Sequence, residues 1–186
     1  MRIIGGDYKG KKLILPNDKK TRPLKDLVKE SIFNLIHHSK KINLDLRNST
    51  ILDLFSGSGS FGLECISRGA KKVTFVENYS EAIKILKKNV SLIKNSDKYE
   101  IINEDIFYLF ENINKYKFKT DIIFLDPPFK EKKLNELINK ILETKILNKN
   151  GLIITHRHKK DNLEITKNLK IIDERSYGIS KIIIGN

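Results

Sequence analysis

The sequence predicts an α/β fold: a doubly wound, mostly parallel seven-stranded sheet with an antiparallel terminal strand, preceded by a small β-hairpin and a helix. Three observations carry that expectation. From residue 50 the apolar runs ILDLF, KVTFVE, YEII, DIIFLD and GLIIT alternate with segments of helical period. The runs are short and nearly continuous, as strands are when helices cover both faces of a parallel sheet. The closing stretch, LKIIDERSYGISKIIIG, holds two β-prone runs about a Tyr-Gly turn, the pattern of an antiparallel pair.

In chain order, residues 1–20 contain RIIG and KKLILP around a Gly-rich turn and are expected to pair as a hairpin arm. Residues 21–40 form a leading helix, with Leu24, Leu27, Val28, Ile32, Leu35 and Ile36 on one face. Pro23 suits its first turn, where a missing N–H costs nothing. Residues 50–186 make the core, in which residues 80–93 set Ala82, Ile83, Leu86, Val90 and Ile93 along one side of a helix. The 186 residues suit a single domain.

A composition of 39% hydrophobic and 32% charged residues is that of a soluble globular chain. No run approaches the roughly 18 apolar residues of a membrane span, and the N-terminus lacks the apolar stretch of a signal peptide. Cys65 stands alone, which excludes a disulfide framework or a cysteine metal cluster. The expectation is a cytoplasmic monomer. A net charge of +13 suggests a polyanionic partner, although 30 of the 36 basic residues are lysines, as an AT-rich coding sequence also favours.

In such sheets ligands bind beyond the carboxyl ends of the strands. The first of these ends reads LDLFSGSGSFG, with Asp53 in the strand and Gly57, Gly59 and Gly62 in the turn and helix start, a context that suits a nucleotide-like ligand. Glu77 ends the next strand about 20 residues on, the offset of an acid that accepts from ribose hydroxyls. Asp105 follows the third strand and can accept from an exocyclic amine, cap a helix, or do both. The fourth strand ends in Asp126-Pro127-Pro128-Phe129. Its acid and proline-flanked carbonyls are acceptors, and its phenylalanine is a stacking face. Together they describe a receptor for an aromatic amino group, whose charge-developing form such acceptors stabilise.

With these residues in view, the sequence resembles the Rossmann-like S-adenosylmethionine-dependent amino-methyltransferases. Within them it is most similar to the bacterial 16S ribosomal RNA guanine-966 N2-methyltransferase family. The similarity covers nearly the whole chain: RIIGGDYKGKKL, RPLKDLVKESIFN, DLFSGSGSFGLECISRGA, FLDPPF and SYGISKIII all match the family's pattern. The resemblance implies that S-adenosylmethionine contacts Asp53, Phe55, Ser56, Gly57 and Gly59 at the first strand end, Glu77 at the second, and Asp105 and Ile106 at the third. It implies a catalytic role for Asp126, Pro127, Pro128 and Phe129, and the small ribosomal subunit's RNA as partner. The chain departs from the family's usual pattern at Leu24, Leu27 and Lys29. It also departs after the fifth strand, where HRHKK follows Thr155 in place of a usual glutamate.

For RNA, Arg2, Lys9, Lys11 and Lys12 with Tyr8 and flexible glycines suit an arm that follows phosphates and stacks on a base. Arg22, Lys130 and Lys132 are further candidate contacts. His156 and His158 lack partners at metal-ligand spacing, so no metal is expected and they read as residues of a basic or ordinary solvated loop. Cys65 reads as a small buried hydrophobe. Rival readings are an adenine-N6 DNA or RNA methyltransferase, and a silent RNA-binding protein with the same fold.

Overall fold

Alternation of side chains along the strands organises the molecule, seen in a computed structural model that describes residues 1–16, 24–161 and 166–186. Five strands, β1 (Thr50–Leu54), β2 (Lys72–Glu77), β3 (Tyr99–Asn103), β4 (Thr120–Leu125) and β5 (Leu147–His158), pair in parallel. Two more, β6 (Ile171–Tyr177) and β7 (Ser180–Gly185), complete a sheet of order β3-β2-β1-β4-β5-β7-β6, with β7 antiparallel to both neighbours. The strand order reverses between β1 and β4, the switch point at which such sheets open a crevice.

On β4, Ile122 and Phe124 point to one core and Ile123 and Leu125 to the other. The first core is closed by α1 (Asp26–His38), α2 (Ser60–Ser67) and α3 (Ser80–Val90). The second is closed by α4 (Ile106–Glu111) and α5 (Leu134–Glu143). Strand residues facing the helix layers are mostly apolar, so the runs look continuous in sequence. Phe61 of α2 stacks on Phe124 of β4 at 3.9 Å and on Phe33 of α1 at 5.4 Å, a column that ties both helices to the sheet. Gly62 is required in α2 because a Cβ there would lie 2.3 Å from the Phe75 ring. Ala82, Ile83, Leu86, Val90 and Ile93 are all buried, and Cys65 is fully buried on α2.

Two local expectations need correction. Helix α1 begins at Asp26, so Leu24 is buried just ahead of it, and Leu27 is 66% exposed. Its buried stripe is Val28, Lys29, Ile32, Phe33 and Ile36, which includes a lysine that a hydrophobicity reading assigns to solvent. Pro23 and Arg22 lie outside the described residues. Strand β5 continues past GLIIT through His158, because β7 pairs with it as far as His158↔Ser180. His156 is therefore buried in a strand and not part of a solvated loop.

A third point concerns the arm. It closes through one antiparallel bridge, Arg2↔Lys12, and its first two glycines lie against α2. Ile4 N and Gly5 N each donate to the Glu64 carboxylate at 2.8 Å, and Asp7 N donates to Ser67 O at 2.8 Å. A Cβ on Gly6, at φ +73°, would lie 1.7 Å from Ser67 O, so glycine is what lets the arm lie against α2. Asn89 Nδ2 of α3 donates to both Ile14 O and Ser58 O, fixing the arm's exit beside the β1–α2 turn.

Candidate active site

The carboxyl ends of β1, β2, β4 and β5 converge on a cleft of about 660 Å³. After β1 the chain turns through Phe55, Gly57 and Gly59 at φ +57°, +54° and +77°. A non-glycine residue in the left-handed region is uncommon, and such strain gathers at ligand sites. A Cβ on Gly57 would meet nothing nearer than Phe55 O at 4.0 Å, so this turn leaves room for a ligand against its backbone.

The acids around the turn are held differently. Asp53 is 1% exposed and accepts from Gly62 N at 3.0 Å; burial pushes its carboxyl well above the ordinary range, and the neighbouring Asp126 and Glu77 add to that. Glu77 Oε2 accepts from Gly57 N at 2.8 Å, and its Oε1 accepts from Asn78 N and Tyr79 N at 3.0 and 2.9 Å. Its carboxylate thus bridges the glycine turn and the start of α3. Asp105 caps α4 through Oδ1, which accepts from Phe107 N and Tyr108 N, while Oδ2 accepts from Asn78 Nδ2 at 3.1 Å.

At the β4 end, Asp126 Oδ1 lies 2.8 Å from His156 Nδ1, and His156 Nε2 lies 2.8 Å from Ser180 Oγ. The Pro128 carbonyl accepts from Glu131 N at 2.8 Å and from Arg157 Nη1 at 3.2 Å, and the Phe129 carbonyl accepts from Arg157 Nη2 at 3.3 Å. Arg157 is 3% exposed and is also paired with Asp161. It clamps the turn from the opposite side of β5. The Phe129 ring meets His158 edge-on at 5.2 Å and His156 at 6.2 Å.

Of the residues singled out in the sequence, Asp53, Phe55, Ser56, Gly57, Glu77, Asp105, Asp126, Pro127, Pro128, Phe129 and Lys130 line this one cleft. Gly59 instead shapes the turn as the residue before α2, and Ile106 packs into the second core. Lys132 is exposed outside the cleft wall. Tyr8 lies away from it, with Lys11 Nζ 5.0 Å over its ring and its hydroxyl accepting from Lys94 N at 3.4 Å. Arg2, Lys9, Lys11 and Lys12 are exposed on the arm. Sequence reasoning missed the roles of His156, Arg157 and Ser180; counting by twos along HRH would have assigned the first two to opposite faces of a strand, while no local signal marks Ser180. The departure after Thr155 thus falls directly beside Asp126.

Besides the buried Asp53, the cleft wall carries Glu77, Asp105, Asp126 and Glu131 against Lys130, in a protein of net charge +13. A cationic or amine- and hydroxyl-rich small ligand is favoured inside, and a polyanion outside. Among the described residues no cluster suits a metal ion, and no helix is long and apolar enough to cross a membrane.

This sheet with its strand-end cleft is the architecture of the Rossmann-like methyltransferases. A structure from Escherichia coli named provisionally as a methyltransferase matches with a TM-score of 0.81 and 28% identity, over 100% of this chain and 96% of that one. One from Haemophilus influenzae named provisionally as a methylase matches at 0.74 and 32%, over 99% and 96%. The chain belongs to the family described as Conserved hypothetical protein 95, whose model matches residues 1–186. Its curated relatives include the ribosomal RNA small subunit methyltransferase D of Haemophilus influenzae, 36% identical over 96% of this chain and 90% of that protein. That of Buchnera aphidicola is 34% identical over 89% and 80%.

Proposed function

We propose that the protein transfers the methyl group of S-adenosylmethionine to the exocyclic N2 of a guanine, of the guanine-966 type, in 16S ribosomal RNA of the small subunit. The observation that carries this reading is the meeting of Asp126 with Glu77 and the Gly57 turn in one acid-lined cleft. The names of the curated relatives support ribosomal RNA as the substrate.

The residues present fit the donor. The space against Gly57 admits a ligand's edge, Glu77 is oriented by three backbone N–H groups toward ribose hydroxyls, and Asp105 Oδ2 suits an adenine amine. Asp53, Phe55 and Ser56 complete the wall, with Gly59 and Ile106 supporting it. When bound, S-adenosylmethionine supplies an electrophilic methyl group on a sulfonium. Asp126 and the Pro127 carbonyl accept the two N–H bonds of the target amine, favouring the pyramidal form whose lone pair takes the methyl. The surplus proton leaves toward Asp126 Oδ2.

Pro128, its carbonyl already accepting twice, serves to fix the backbone. Phe129 stacks on the extruded base, returning about 1–3 kcal/mol of the few kcal/mol that unstacking costs. Arg2, Tyr8, Lys9, Lys11, Lys12, Arg22, Lys130 and Lys132 contact the RNA, the cationic ones mainly through phosphates. The protein acts as a monomer in the cytoplasm.

Incubation with labelled donor and undermethylated 30S subunits, followed by nucleoside mapping, tests the reading. N2-methylguanosine at one position is expected; N6-methyladenosine or unlabelled RNA rejects it.

A further inference from the structure

Alternation along three strands brings a further partner to Asp126. On β5, Leu152 and Ile154 belong to the same core as Ile122 and Phe124 of β4 and Ile182 and Ile184 of β7. Two residues beyond Phe124 and Ile154 stand Asp126, just past the end of β4, and His156; Ser180, opposite His158 in the β5–β7 register, reaches His156 diagonally from two residues before Ile182. The imidazole is 6% exposed, and both ring nitrogens are engaged at 2.8 Å, Nδ1 by Asp126 Oδ1 and Nε2 by Ser180 Oγ.

The chemistry of the three groups fixes the protons. An ionised carboxylate only accepts, so Nδ1 carries the hydrogen of the Asp126 contact. A serine hydroxyl both donates and accepts, so Ser180 satisfies Nε2 whether the ring is neutral or charged. With Oδ1 committed to His156, the carboxylate has one rotational setting, and Oδ2 remains for a ligand.

We propose that His156 is a positioning residue for methyl transfer: its Nδ1–H, braced by Ser180, sets the Asp126 carboxylate in the orientation that receives the target amino group. This rests on the reading of Asp126 as the receiver of that group. The proposed effect of His156 runs through Asp126, and its edge contact with Phe129 at 6.2 Å is the longer of that ring's two histidine contacts, so its loss is felt mainly in turnover while donor and RNA binding persist.

Two measurements test it. In the first, kcat and KM are compared for His156→Leu and His156→Asn, the asparagine amide being able to donate from near the place of Nδ1. Loss of about 10–100-fold in kcat for leucine, with both KM values near wild type and substantial recovery by asparagine, is expected. Equal impairment of the two variants, or wild-type turnover by His156→Leu, overturns the proposal. The second is read on the free protein: nitrogen-15 spectra of the His156 ring should show Nδ1 protonated in the wild type, with that preference lost in Asp126→Ala. A bare Nδ1 in the wild type overturns the proposal even where a leucine variant fails to fold. Wild-type protein that methylates no guanine yet shows a locked Nδ1–H counts against the proposed function and for the coupling.

Discussion

Lys29 Nζ lies 3.3 Å from Glu64 Oε2, with both side chains fully shielded from solvent. The pair joins α1 to α2, and each member also holds the arm. Lys29 donates to Arg2 O at 2.7 Å and Ser60 Oγ at 3.1 Å, while Glu64 accepts from Ile4 N, Gly5 N and Arg68 Nε. Burial pulls the Lys29 ammonium below its ordinary range, with Glu64 opposing that shift.

The two partners are therefore unequal. Glu64→Ala strands a buried cation and three further donors, and should cost roughly 3–5 kcal/mol. Lys29→Met leaves Glu64 paired with Arg68 at 2.8 Å and should cost distinctly less. Urea denaturation of the two variants checks the order; a larger loss for Lys29→Met contradicts it.

Asp53 gives stability a pH dependence of known sign. Its native carboxyl titrates well above the unfolded value, chiefly through burial. From about pH 4 upward the native state thus holds a proton that the unfolded chain releases, and the stability linked to it is lost as pH rises toward the native value. The slope from one such group reaches at most about 1.4 kcal/mol per pH unit. Asp53→Asn removes it, so the wild type should lose stability relative to the variant between pH 4 and 7. Parallel stability curves would show that Asp53 is not the group responsible.

The glycines of the first strand end should separate ligand binding from folding. A Cβ on Gly62 would lie 2.3 Å from Phe75 and 2.7 Å from Val73, so Gly62→Ala should destabilise by about 1–3 kcal/mol through overpacking. Gly57→Ala meets open space and bears only the cost of its positive φ, about 1–2 kcal/mol. Its methyl projects from the cleft wall, so calorimetry with S-adenosylhomocysteine should show a clear loss of affinity. Undiminished affinity would place the ligand away from this turn.

Asp126 and Phe129 should fail in different ways. Asp126→Ala removes an acceptor that matters as charge develops, and should lower kcat by about 10²–10³-fold. Phe129→Leu removes a stacking face worth about 1–3 kcal/mol, and should mainly raise KM for RNA. Steady-state kinetics with small-subunit RNA distinguish the two, and matching losses in both parameters for both variants would refute the division of roles.

Much of this was legible in the sequence, because alternation in a two-sided sheet writes itself as apolar runs. ILDLF and DIIFLD announced β1 and β4, and Asp53 within the first and Asp126 closing the second marked the cleft. What escaped was polar and buried. Lys29 looks like a solvent residue until its partner 35 positions away is known, which turned Leu27 to the wrong side. His156 and Arg157 broke the apolar signal of β5 although β7 continues to pair with them. The glycines of the arm suggest mobility in sequence, and only the approach of Gly6 to Ser67 O shows that one of them serves a close contact with α2.

The account stands on a methyl donor lying between the Gly57 turn and Asp126. A crystal structure with bound S-adenosylhomocysteine measures this most directly. The ribose should lie on Glu77, with the sulfur directed at the Asp126–Phe129 turn; a ligand seated elsewhere, or a sulfur turned away from Asp126, would contradict it.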